Sequence, residues 1–188
     1  MEKVDAIETL GNKELGIEEV EKIYNEFKED LEVVGQVAMN LSIRTSVYDR
    51  DQESSETMTR LLLSLAESSD MMTRWAVAKN PHTPAEILAK LGEDKINLVR
   101  ALVATNVNTP LETLNKFAED EKIVTDGLTG NPNTPTEILE KMSSSSDKMV
   151  RLRIAENPNT PKAVLEKLTL DNDPDVSKAS EVHLAKRG

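Results

Sequence analysis

The strongest constraint on this chain is a five-residue echo. Asn80-Pro81-His82-Thr83-Pro84 returns as Asn106-Val107-Asn108-Thr109-Pro110, as Asn131-Pro132-Asn133-Thr134-Pro135 and as Asn157-Pro158-Asn159-Thr160-Pro161. The spacings are 26, 25 and 26 residues. A unit this short cannot close a core by itself. It must bury its apolar face against its neighbours, which makes the chain a linear stack.

Each echo joins two short apolar-periodic runs. Thr83-Pro84-Ala85-Glu86 reads as a capping box with proline at the first helical position, the Thr83 hydroxyl capping forward and Glu86 reaching back. It recurs at Thr109-Pro110-Leu111-Glu112 and Thr134-Pro135-Thr136-Glu137, and loses its acid at Thr160-Pro161-Lys162-Ala163. The stripes that follow are Ile87, Leu88 and Leu91; Leu114 and Phe117; Ile138, Leu139 and Met142; Val164, Leu165 and Leu168. Each predicts a helix of about two turns. A second helix carries Val99 with Val103, Val124 with Leu128, or Val150 with Ile154. It ends at the recurrent Asn, as a cap or in a left-handed conformation. Helices this short do not stand alone in water, so stacking must hold them.

Composition fits. Apolar residues make up 38% of the chain and aromatics 3%, which suits a thin repeated core. The 188 residues carry a net charge of −11, which disfavours nonspecific binding to nucleic acid or anionic lipid. Residues 1–60 hold 15 acidic and 7 basic side chains, against 19 and 16 in residues 61–188. The acidity therefore sits at the N-terminal end. Without cysteine there is no disulfide, no thiolate nucleophile and no cysteine-bound iron–sulfur cluster. No apolar run spans a membrane, and Met1-Glu2-Lys3-Val4-Asp5 lacks a signal-peptide core, so a cytoplasmic protein is expected.

Four segments of one domain follow. Residues 1–29 form an acidic helical cap, with Ile17, Val20, Ile23, Tyr24 and Phe27 on one face of a helix and Glu18, Glu19 and Glu21 opposite. Residues 30–70 form a degenerate repeat, in which Val33, Val37, Ala38 and Asn40 match Val99, Val103, Ala104 and Asn106. An insertion over 41–55, carrying Tyr48 and Arg50, replaces its turn. Residues 71–176 are the regular repeats, and 177–188 a half-repeat cap.

The pattern Val-Arg-x-x-Val-Ala-x-Asn-Pro-x-Thr-Pro-x-x-x-Leu-x-x-Leu, fullest at Val99 to Phe117 and Val150 to Leu168, resembles the leucine-rich repeat variant family. The resemblance covers about residues 70–176. It implies an all-α, right-handed solenoid of alternating α and 3₁₀ helices without a β-sheet, and a binding scaffold without catalysis. HEAT-like repeats are similar but longer. Some family members carry an iron–sulfur module ahead of the repeats; this chain has no cysteine to hold one.

Candidate binding residues lie where the repeats differ. Six positions before the recurrent Asn stand Arg74, Arg100, Thr125 and Arg151. Three arginines in a row either grip carboxylates or phosphates of a partner, or tie down the neighbouring acidic joints. Trp75 lies one position on. It is either an exposed anchor or packs under the 41–55 insertion. Arg153 adds a charge beside Arg151. His82 stands where the other repeats have Asn, which makes it a turn residue, and His183 has no evident partner. Asp171, Asp173 and Asp175 alternate, but without the glycine and glutamate of a calcium loop. No catalytic, cofactor or metal site is expected. The function read from the sequence is a noncatalytic protein-binding scaffold in a bacterium or phage. The alternative is an acidic decoy, carrying Glu18, Glu19 and Glu21, that fills a basic groove of a host enzyme.

Overall fold

A computed structural model describes residues 1–44 and 55–187. Among them are thirteen α-helices, one short 3₁₀ helix and no strand. The helices are α1 (Lys3–Leu10), α2 (Ile17–Glu26), α3 (Leu31–Arg44), α4 (Glu56–Leu65), α5 (Met71–Lys79), α6 (Ala85–Leu91) and α7 (Asn97–Thr105). They continue as α8 (Leu111–Lys116), α9 (Lys122–Gly130), α10 (Thr136–Met142), α11 (Lys148–Glu156), α12 (Lys162–Leu168) and α13 (Pro174–Arg187). The 3₁₀ helix, Phe117–Glu119, only finishes α8. The first helix of each regular repeat is thus α-helical, and the alternating α/3₁₀ pattern is not seen.

The second helices of the repeats form a continuous stack. α1 packs on α3, α3 on α5, α5 on α7, α7 on α9, α9 on α11 and α11 on α13. The first helices α6 and α12 each sit between two members of that stack. The stripes read from the sequence are buried: Leu88, Val99, Val103, Leu114, Val124, Leu128, Leu139, Ile154 and Leu165 are all 0% exposed. Stacking begins earlier than the residue 30 boundary, because α1 already acts as a second helix.

Two turn details differ from the reading above. First, the capping box does not form. Thr83 Oγ1 donates backward to the Val77 carbonyl at 2.6 Å, and Thr109, Thr134 and Thr160 do the same to Val103, Leu128 and Ile154. The prolines that follow occupy the N-cap in extended conformation, and no side chain caps these helices. The reason is burial. The threonines lie against the end of the preceding helix, whose last carbonyls lack intrahelical partners. Glu86, Glu112 and Glu137 stay exposed in the first turn. Second, of the two alternatives for the recurrent Asn the cap holds and the left-handed one does not: Asn106 caps the end of α7 in extended conformation, at φ −74° and ψ 126°, and no described residue takes positive φ.

The recurrent asparagine instead binds neighbouring repeats together. Asn106 Nδ2 donates to the carbonyls of Ala78 and Asn80, both at 2.9 Å. Asn131 reaches Ala104 and Asn106, and Asn157 reaches Thr129 and Asn131. Each Oδ1 accepts the backbone N–H two residues on, which holds the turn. The ladder runs past the echo at both ends. Asn40 Nδ2 bonds the carbonyls of Leu10 and Asn12 although it lies inside α3. At the other end His183 Nδ1 lies 2.8 Å from the Ala155 carbonyl. A carbonyl only accepts, so Nδ1 carries the proton. His183 is the terminal rung, not an unpartnered histidine.

Candidate functional site

The arginine row is structural. Arg74 forms a two-pronged pair with Asp94, with Nε 2.5 Å from Oδ2, and its Nη1 also donates to the carbonyls of Ser68 and Ser69. Arg100 grips Asp120 at 2.7 and 2.8 Å, and Arg151 grips Asp171 at 2.6 and 3.0 Å. Each arginine therefore locks its own repeat to the next acidic joint, and the reading as an outward grip is corrected. The third repeat confirms the pairing by losing both members. Thr125 stands for the arginine, and Ser145, twenty residues on, stands for the aspartate. The chemistry follows the geometry. Arg100 and Arg151 hold the carboxyls of Asp120 and Asp171 below the usual carboxylate range. Burial pushes Asp94 up, but Arg74 and the Ile96 N–H outweigh it and the net direction is down. Asp173 is engaged by Lys148, so the aspartates after Leu170 serve as counter-ions.

The other predicted residues scatter. Arg153 is half-buried and donates Nη1 to the Asp126 carbonyl at 3.1 Å, lying over α9 near Gly130. Glu21 takes both prongs of Arg60, and Glu18 accepts from Thr57, so both tie α2 to α4. Glu19 is bridged by Lys22. Trp75 packs half-buried against the core, with the Lys79 ammonium 5.2 Å from its ring centroid. Tyr48 and Arg50 lie outside the described residues.

What the structure brings together is a row that the sequence reading passed over. Eight positions before the recurrent Asn stand Met72, Leu98, Ile123 and Met149, spaced 26, 25 and 26 residues apart. All four are large and apolar, and all are between 41% and 51% exposed. Positions eight, five, four and one before the Asn share one helix face. The same face carries Trp75 and buried Ala76 on α5, buried Ala101 and half-buried Leu102 on α7, Asp126 and buried Gly127 on α9, and Leu152 and Arg153 on α11. Its open edge is the row at position eight, turned away from Val99 and Val103, while Ala76, Ala101 and Gly127 pack between neighbouring helices. A groove of about 400 Å³ lies between α3 and α5, lined by Leu31, Gly35, Met39 and Met72 together with the polar Glu32, Gln36 and Asp70. Another, of about 620 Å³, lies between α11 and α13, lined by Leu152, Glu156, Lys178, Ala179 and Val182. The signal was available in the sequence as a second apolar period out of phase with the buried one.

Comparisons with protein-family models, with curated proteins and with solved structures found no match to this chain. Among the described residues no helix is long and apolar enough to cross a membrane, and no group of three or more acidic or histidine side chains is placed to hold a metal ion.

Proposed function

We propose that this chain is a noncatalytic scaffold, a right-handed helical solenoid of the leucine-rich repeat variant kind, that binds a protein partner along the open face of its second helices. One observation carries the reading: the exposed row Met72, Leu98, Ile123 and Met149, with Trp75 beside it. Exposed apolar side chains scattered singly need no explanation, but four recurring in repeat register on successive helices of the stack are a regular pattern of exposed apolar surface. A partner segment with apolar anchors would bury it, with Trp75 as the large contact at its α5 end. The acidic decoy is the weaker reading, because Glu18 and Glu21 are spent on α4.

The test places a photo-crosslinking residue at Leu98 and, separately, at Glu140, which is exposed on α10 outside the row. Each chain is expressed in cells that normally make the protein, and adducts are read by mass spectrometry. Adducts specific to position 98 are expected, and they should disappear when Met72 and Ile123 are changed to glutamate. Equal yields from both positions, or adducts from 140 alone, would sink the reading.

A further inference from the structure

Exposed lysine–glutamate rungs run along the first helices with the period of the echo. Lys90 pairs with Glu67, Lys116 with Glu93 at 2.8 Å, and Lys141 with Glu119 at 3.1 Å. The fourth rung keeps its lysine and lacks its acid. Lys167 Nζ donates to Ser144 Oγ at 2.7 Å and lies 3.4 Å from Ser143 Oγ. Ser144 occupies the register position of Glu67, Glu93 and Glu119. Among the described residues Lys167 has no carboxylate at ion-pairing distance.

The neighbouring position makes a useful contrast. Where the third repeat loses its joint aspartate to Ser145, it also loses the arginine, so no cation is left unpaired. At Ser144 the acid is gone but the cation remains, its ammonium aimed at a hydroxyl. The neighbouring serines are differently placed. Ser143 is buried and donates to the Glu140 carbonyl, and Ser145 Oγ accepts the Asp147 N–H. Ser144 and Ser146 are exposed in the joint between α10 and α11, where a modifying enzyme has access.

We propose that Ser144 is a phosphoacceptor and that its phosphate completes the fourth rung with Lys167. In the transfer, Ser144 Oγ attacks the terminal phosphorus of a nucleoside triphosphate held by a serine kinase. The new O–P bond replaces the P–O bond to the leaving diphosphate, and the hydroxyl proton passes to the kinase's base. The product carries a charge of about −1.5 to −2 and three strong acceptors in place of one hydroxyl. It sits where three other repeats place a glutamate, and it ties α12 to the joint that precedes α11.

The test has two arms. Phosphate is mapped by mass spectrometry on the chain recovered from its own cells, with Ser144→Ala as the control. Modification at Ser144 is expected; its absence there, or phosphate on Ser146 alone, overturns the proposal. In the second arm phosphoserine is installed genetically at 144 and titrated by phosphorus NMR, with and without Lys167→Gln. The second ionisation should fall about 0.2–0.7 pH units lower when Lys167 is present, a range matching an exposed ion pair. Identical midpoints in the two chains overturn the assigned partner. Both substitutions are on the surface, so folding does not confound the comparison.

Discussion

The side-chain amide of Asn106 donates to the backbone carbonyl of Asn80, 2.9 Å away and one repeat earlier. The same amide reaches the Ala78 carbonyl, and both bonds are buried. One side chain thus closes a helix end in its neighbour, while its own oxygen folds the next turn through the Asn108 N–H. Replacing Asn106 by Ala takes this partner from the Ala78 carbonyl and from the Asn108 N–H, while the Asn80 carbonyl keeps the Thr83 N–H. Each unmet group costs about 1–3 kcal/mol, so a loss of roughly 2–4 kcal/mol is expected in urea unfolding. Asn133→Ala removes an exposed bond to the Val107 carbonyl and should cost under about 1 kcal/mol. Equal losses would show that the ladder's burial is not what matters.

Two glycines predict opposite effects. A Cβ on Gly127 would stand 2.8 Å from the Ala101 carbonyl oxygen and 3.1 Å from Thr105 Cγ2. The first obstacle is backbone, so α9 must move off α7. Gly127→Ala should destabilise by about 1–3 kcal/mol. On Gly35 the nearest atom is Thr73 Oγ1 at 3.7 Å, an ordinary contact. Gly35→Ala inside α3 should stabilise by about 0.5–1 kcal/mol. Thermal unfolding of both variants checks the pair.

The arginine–aspartate pairs set the acid limit. Arg100 lowers the Asp120 carboxyl in the folded state below its ordinary value, and Arg151 does the same to Asp171. A depressed folded value means the unfolded chain binds protons first as pH falls. The stabilisation is therefore complete above the ordinary carboxylate range, and is lost as pH drops from about 4 through the depressed values. Asp120→Asn should lower stability at pH 7 by about 1–3 kcal/mol. Once the pH is below the depressed folded value, where both side chains are neutral, the variant and the parent should converge. A constant gap across pH would show that charge is not involved.

The repeat register was legible because burial repeats with it: Val99 and Val103 had to face inward together. The all-helical class followed from the short stripes and the prolines. The direction of Thr83 was not legible. A threonine before proline can cap the helix ahead or bond the helix behind, and only its burial against Val77 decides. Helix stops were half legible. Asn40 and Asn106 are both followed by an apolar residue rather than proline, yet α3 continues to Arg44 and α7 ends at Thr105. What differs is Thr109-Pro110 downstream, which has no counterpart after Asn40. The arginines left two readings open, and the geometry of Asp94, Asp120 and Asp171, each twenty residues on, decides for the acidic joints over an outward grip. The open face was missed because Met72, Leu98, Ile123 and Met149 look like core residues until the helix is rotated.

That face makes the last prediction. Leu98 is nearly half exposed, on the opposite side of α7 from Val99 and Val103. Leu98→Glu keeps an aliphatic stem at a site that is nearly half exposed, and surface changes of this kind stay within about 0.5 kcal/mol. Val99→Ala, one residue on and fully buried, should cost roughly 1–3 kcal/mol, since it removes two methyl groups from a packed interface. If the open face binds a partner, Leu98→Glu should abolish crosslinking through that face while the urea midpoint stays at the parent value. Val99→Ala should shift the midpoint and keep the partner under conditions where the chain is folded. A Leu98→Glu chain that unfolds with Val99→Ala would return Leu98 to the core and remove the face as a binding site.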